Sequence, residues 1–481
     1  MRSAVCLLTI AALLVPPAGA QQSLPDLGGV DSPLSPQMER KIGEAVTRDI
    51  RFRDPSYIDD AEITDYLDRL GEQLSQAAGA RLQFEFFALR DPTINAFALP
   101  GGYVGVHTGL LTAAESESEL ASVLGHEIAH VTQHHLARLI NQQQQMALPV
   151  LAALAAAVLL GRSRPDLTMG AIIGAQGAAV QTGLSYSRDF EREADRVGIQ
   201  TLQAAGFDTR AMASFFEKMQ RSTRLADDST VPGYLRTHPI TSERIADVQN
   251  RAASMPYKQH ADAVEFYLVR AKVRADAGDA RDTAANLQLA VKEGRYVSEA
   301  AARYGLACAL ARAGRAKEAE AELARVRSLG VSSAMLELLD ARIRLAAHDP
   351  AGAAALLTKA RERYPYSHAV SYAYVAALQE TNRNAEAVAT LGELVRQKPR
   401  DPRLYAMQAK SYAVLGKRLL QHQAQAELYV LQGSLPAAIE QLQLARSAGD
   451  GDFYQMSMVE ARLKELRTQY STEMKEAQGQ R

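Results

Sequence analysis

His126, Glu127 and His130 fall within residues 117–140, ESELASVLGHEIAHVTQHHLARLI, in the order His-Glu-x-x-His. On a helix, residues four apart lie one above the other, so His126 and His130 can aim two imidazoles at one metal ion while Glu127 stands over the neighbouring water. That is the apparatus of a zinc hydrolase. The bland alternative is a polar helix with two surface His, and with ten His in the chain the spacing alone does not exclude it.

The elements that must hold these residues are legible around them. Leu120, Val123, Leu124, Ile128, Val131 and Leu139 recur at helical spacing, and Ser116 with Glu119 three later predicts a capping box at the helix start. Residues 35–78 also read as helical, with Met38, Ile42, Val46 and Ile50, then Ile63, Tyr66, Leu67, Leu70 and Leu74 at intervals of three and four. Residues 82–89, 94–99 and 103–107 are short, aromatic and β-branched, with Pro100-Gly101-Gly102 as a turn, and predict a small β-meander leading into the metal helix. If its last strand is an edge, its free amides could hold an extended peptide beside the metal; the alternative is an ordinary core hairpin. Downstream, the apolar stretches 146–160 and 169–184 are each shorter than the roughly 20 residues needed to cross a bilayer. A hairpin lid over the site or a surface touching membrane fits that pattern, and so do plain core helices.

A hydrolytic zinc takes three protein ligands and leaves one position open. A third His ten residues after the first is ruled out, since Leu136 stands there and Gln133 replaces the accompanying Gly. No Glu occurs between Glu127 and Glu191. Glu191 opens a second helical pattern, EREADRVGIQTLQAAGF, for which Gly206 is a good stop. Glu191 and Asp195 share a face, so Glu191 can be the third ligand and Asp195 the carboxylate that receives an imidazole N–H behind it. A surface ion pair at Glu191 remains open, Asp166 is a weaker rival, and Glu193 is read as solvated.

The chain has 481 residues, a net charge of -1, 47% hydrophobic and 23% charged residues, which suits two to three globular domains and gives no reason to expect nucleic acid. Residues 1–20, with Arg2, an apolar run and Ala18-Gly19-Ala20, read as a cleavable signal peptide. No Cys follows the small residues, so an exported soluble protein is expected. Cys308 is then the single remaining Cys and, within GLACALARAG, reads as a buried small residue.

After Met255-Pro256 the chain becomes Ala-rich and repeats: Ala319, Ala353 and Ala387, and Pro365 and Pro399, recur every 34 residues. That is the tetratricopeptide (TPR) period, a helix-turn-helix unit stacking into a solenoid over about 262–470, with four to six units and a break in spacing after Pro399. A solenoid of this kind binds peptides or protein surfaces and carries no catalytic chemistry. The fold class expected is therefore mainly α: an α+β zincin-type metallopeptidase domain over 21–255 with a small β-meander, then a helical TPR solenoid.

Together, NAFALPGGYVGVHTGLL (95–111), HEIAH (126–130), SRDFEREAD (187–195) and THP followed by SERI (237–245) resemble the zinc metallopeptidase family that includes the CAAX prenyl proteases and the HtpX-type membrane proteases. The resemblance covers about residues 35–252, and the signal peptide and C-terminal half bring the chain nearest the family's periplasmic branch. It implies one zinc per chain held by His126, His130 and Glu191, with Asp195 behind them and Glu127 as general base. It also implies that His238 is an active-site residue covering the metal. A neutral imidazole there would keep the protease off, and once swung away it could hydrogen-bond the oxyanion. Arg244 and Tyr186 are expected contacts for substrate or oxyanion. The implied role is periplasmic quality control, with stalled or misfolded outer-membrane β-barrel proteins as clients and the barrel-assembly machinery bound through the TPR face. Two other readings stand beside it: a chaperone or scaffold with a largely closed zinc site, and a processing enzyme for small peptides that works without the residues after Asp262.

Overall fold

The computed structural model describes residues 35–142, 187–224 and 233–479. The expected signal peptide and the apolar region 146–184 lie outside the described residues, as do Asp166 and Tyr186. Among the described residues, no helix is long and apolar enough to cross a membrane.

The N-terminal helical pattern forms two capped helices. Ser35 caps α1 (Pro36–Arg53), its hydroxyl accepting the Met38 N–H at 3.2 Å, and Asp60 caps α2 (Ala61–Ala77) by accepting from Glu62 and Ile63. Ile63, Tyr66, Leu67, Leu70 and Leu74 line the buried face of α2.

The strands β1 (Glu85–Leu89), β2 (Ala96–Leu99) and β3 (Tyr103–His107) do not form the expected meander. Their order is β1-β3-β2, with β1 parallel to β3 and β2 antiparallel to it. The cause lies in the connection at 90–95. There the Thr108 hydroxyl donates to the Asp91 carbonyl at 2.8 Å, and the His107 N–H donates to the Asn95 carbonyl at 3.0 Å. The chain therefore crosses the end of β3 instead of turning back on β1. The last strand is consequently central and buried along its length, and the edge packed on the metal helix is β2.

The stretch 117–140, expected as one helix, is two: α4 (Glu117–Thr132) and α5 (His135–Gln142), after the short α3 (Thr108–Ala113). The break falls at His134, whose φ of 52° is left-handed and cannot continue a right-handed helix. Helix α6 (Arg188–Ala205) stops at Gly206, φ 88°, as predicted. It packs along α4 at Gly198, where a Cβ would come within 3.2 Å of the His126 backbone nitrogen. Glycine there lets the two site helices approach. Helices α7 (Arg210–Arg224), α8 (Gly233–Thr237) and α9 (Ser242–Ser254) complete this unit.

From Val264 to Gly479 the described residues form twelve helices paired as hairpins, whose first helices begin at Val264, Glu299, Ala334, His368, Pro402 and Leu435. These starts are 33–35 residues apart, so the period that fades from the sequence after Pro399 persists in the structure. Ala319, Ala353 and Ala387 are fully buried, where small side chains allow close helix packing, and Cys308 is buried too, its thiol pushed up to about 12 by burial.

One apolar core runs from Ile63 and Val104 through Leu120, Ile199 and Val248 into Phe266, Leu306 and Ile343. Along α2, acidic side chains meet successive hairpins. Lys272 lies 2.5 Å from Asp60 and 2.7 Å from Glu62, Arg342 lies 3.3 Å from Glu62, Ala369 donates its N–H to Asp65 at 2.9 Å, and Lys398 lies 3.4 Å from Asp68. The solenoid is wrapped onto the N-terminal unit.

Candidate active site

Helix α4 is buried from Glu117 to His130. Ser116 caps it by accepting the Glu119 N–H at 3.2 Å, but the Glu119 carboxylate takes the Glu115 N–H at 2.8 Å and the Lys218 ammonium at 2.6 Å. The return half of the capping box is thus shifted by one residue. The first turn is also tied to the start of the solenoid: the Glu117 N–H donates to Asp262 at 2.9 Å, and the Glu117 carboxylate accepts from Ala263 N–H at 2.9 Å and from the Tyr66 hydroxyl at 3.1 Å.

At the other end of α4 four ligand atoms converge. His126 Nε2 and His130 Nε2 are 3.0 Å apart, and His238 Nδ1 lies 3.3 Å from His126 Nε2 and 2.9 Å from Glu191 Oε1. Glu191 also stands 3.5 Å from His126 Nε2 and 3.4 Å from His130 Nε2. Ligands at about 2.1 Å around a tetrahedral ion are about 3.4 Å apart, so these separations fit one metal ion. All four residues are buried, which leaves their lone pairs no solvent to face.

The surroundings orient these groups. Asp195 Oδ1 lies 3.0 Å from His126 Nδ1. Burial opposes charge on His126, but the adjacent carboxylates of Asp195 and Glu191 outweigh it and raise the imidazole to about 9. Burial holds His130 well below its ordinary value. Glu191 is held well below the carboxylate range: burial opposes this, and the charge of His238 with the hydrogen bonds from the three His prevails. Glu127 is pushed up by burial against the pull of His238 and His126, and its Oε1 lies 3.4 Å from His238 Nε2.

The chain matches the model of peptidase family M48 over residues 61–252 and that of the tetratricopeptide repeat over 344–411. The beta-barrel assembly-enhancing protease of Escherichia coli K12 is 32% identical over 453 residues, 94% of this chain and 92% of that one. The chain belongs to peptidase family M48. A relative in Vibrio cholerae is 42% identical over 283 residues, 57% of this chain and 57% of its own length. The mitochondrial metalloendopeptidase OMA1 of Arabidopsis thaliana is 31% identical over 223 residues, 45% of this chain and 42% of that one.

In this M48 metallopeptidase the structure brings together His126, Glu127, His130, Glu191, Asp195 and His238. Arg244, expected at the substrate, instead faces carboxylates: Nε and Nη2 lie 2.7 and 2.8 Å from Asp195, Nη1 lies 2.7 Å from Glu191, and the guanidinium is buried. Glu193, read as solvated, is only partly exposed and binds His135 and Arg138. Its helix is flanked by α5, which a reading of α6 alone does not reveal.

Three residues carried no assigned role in the sequence. Tyr234 stacks on His238 with ring centroids 4.8 Å apart, and its carbonyl accepts the His238 N–H at 2.7 Å. The i, i+4 spacing of YLRTHP was the available signal. Asn95, fully buried just before β2, has both amide atoms without a hydrogen-bond partner among the described residues. His135, five residues after His130, is out of helical phase with the motif, so periodicity gives no hint of it.

Proposed function

We propose that this chain is an exported zinc endopeptidase of the periplasm that acts on unfolded or misfolded outer-membrane β-barrel proteins, its TPR solenoid binding clients or the assembly machinery. The observation that carries the chemistry is the convergence of ligand atoms of His126, His130, Glu191 and His238, all within 4.8 Å of one another, beside Glu127. Three imidazole nitrogens and a carboxylate oxygen suit zinc. A zinc ion held there supplies Lewis-acid polarisation of the scissile carbonyl and lowers the pKa of water. Glu127 accepts the proton of the attacking water and passes it to the leaving amine. The outer edge of β2, which among the described strands pairs only with β3, takes the substrate as an added strand beside the metal helix. Asp195 fixes the His126 tautomer with Nε2 free.

His238 gives the site its gate. With Nδ1 among the ligand atoms, the chain's own imidazole fills the corner that catalysis needs open. Rotating it away frees that corner and leaves an N–H donor for the oxyanion. The same closure favours the second reading, a chaperone or scaffold that seldom cuts. The client role rests on the name of the relatives and on the repeat fold.

The test is to measure zinc in the purified mature chain and follow degradation of an unfolded barrel protein by wild type and Glu127→Gln. About one zinc per chain, with cutting lost in the variant, supports the protease. Zinc without cutting by either, accompanied by reduced client aggregation, supports the chaperone. Absence of metal overturns both.

A further inference from the structure

His135 is completely buried, and nothing in the chemistry above uses it. It opens α5 directly after the left-handed His134, and this bend turns its ring back onto the metal helix. His135 Nδ1 lies 2.9 Å from His130 Nδ1, and its Nε2 lies 3.2 Å from Glu193 Oε2. Arg138 Nη1 holds the same Glu193 oxygen at 2.8 Å. The ring stacks on Phe190, the neighbour of Glu191, with centroids 4.7 Å apart and planes at 13°.

We infer that His135 and Glu193 are positioning residues for the metal centre, a relay that fixes the tautomer and orientation of His130 as Asp195 does directly for His126. The inference rests on the proposed zinc site. A neutral imidazole carries one N–H and one lone pair. For His130 Nε2 to offer its lone pair among the ligand atoms, the proton must sit on Nδ1, and that N–H needs an acceptor. His135 Nδ1 can accept only when its own proton sits on Nε2, and that N–H in turn needs an acceptor, which Glu193 provides. The proton order is thereby set in one direction: His130 Nδ1–H to His135 Nδ1, and His135 Nε2–H to Glu193. The negative end of the relay raises the basicity of His130 Nε2 towards a cation. Stacking on Phe190 and the Arg138 contact to Glu193 hold the relay's geometry, and they join α5 to α6, the helix bearing Glu191.

The test uses the full mature chain, stripped and reloaded with zinc. His135→Phe keeps a ring against Phe190 but has no acceptor; His135→Asn puts a carbonyl oxygen near the Nδ1 position; Glu193→Ala removes the terminal acceptor at a partly exposed site. By chelator competition, zinc affinity is expected to fall about 10- to 100-fold in His135→Phe and less in Glu193→Ala, and to be largely restored in His135→Asn. The metal-free unfolding midpoints should stay close to wild type, and the visible spectrum of the cobalt-loaded protein should change in His135→Phe. Wild-type affinity in His135→Phe and Glu193→Ala, or no recovery in His135→Asn, overturns the relay and leaves the zinc site intact. A wild-type chain that takes up no zinc overturns the site and the relay together.

Discussion

Arg244 meets Asp195 edge to edge, Nε 2.7 Å from Oδ2 and Nη2 2.8 Å from Oδ1, and its third nitrogen reaches Glu191 at 2.7 Å. One buried cation thus holds two carboxylates that stand a single helical turn apart at the ligand cluster. Burial alone would push Asp195 up, but its hydrogen bonds to His126 and Arg244 keep it below its ordinary value. Arg244→Leu should strip both carboxylates of their guanidinium partner and cost about 3–5 kcal/mol, the usual result of removing one partner of a buried pair. Arg244→Lys should recover only part of this, because an ammonium cannot form the two-pronged contact. Urea unfolding of the metal-free variants measures both.

Glu127→Gln keeps the shape of the side chain and removes its basicity. Cleavage should drop by at least about 100-fold while zinc content stays at the wild-type level. Single-turnover assays at matched zinc loading separate this from loss of metal.

His238→Ala should empty the corner occupied by Nδ1 and speed cleavage of an unfolded protein at matched zinc, while lowering zinc affinity through loss of a ligand. A chain whose cutting is unchanged on every substrate would sink the gate.

A fragment ending at Met255 should fail to fold. It exposes the surfaces that cover Phe266, Leu268 and Val269 in the shared core, and it strips Asp60 and Glu62 of Lys272. Circular dichroism and gel filtration of residues 21–255 check this. A compact, zinc-binding fragment that cleaves short peptides would instead favour the small-peptide reading.

Asp60 gives the clamp between the two units a pH dependence. Burial opposes its ionisation, but Lys272 prevails and holds its carboxyl below the ordinary value. A depressed carboxyl stabilises the fold at pH values above the ordinary aspartate range, near 3.9, and that contribution fades as pH falls through the lower folded value. Asp60→Asn should therefore be less stable than wild type at neutral pH, with the gap closing in acid. Denaturant midpoints of both proteins across pH 2–7 read the gap directly.

What the sequence determined by itself was local. The helix that carries the motif, its cap at Ser116, the stop at Gly206 and the hairpins at the period of Ala319, Ala353 and Ala387 all follow from spacings within one or two helical turns or one repeat. His126, Glu127 and His130 were legible for the same reason, since one helix presents them, and Glu191 with Asp195 because they share a face of another. The tertiary structure decided whatever depends on two distant segments meeting. It made β2 the edge strand, because the 90–95 connection is held to the end of β3 by Thr108 and His107. It turned Arg244 towards Asp195 and Glu191, brought His135 behind His130 through a left-handed residue, and fused solenoid and peptidase units into one core. Periodicity reports which face of a helix is buried, whereas the partner on that face depends on chain crossings and buried charge pairing across many tens of residues.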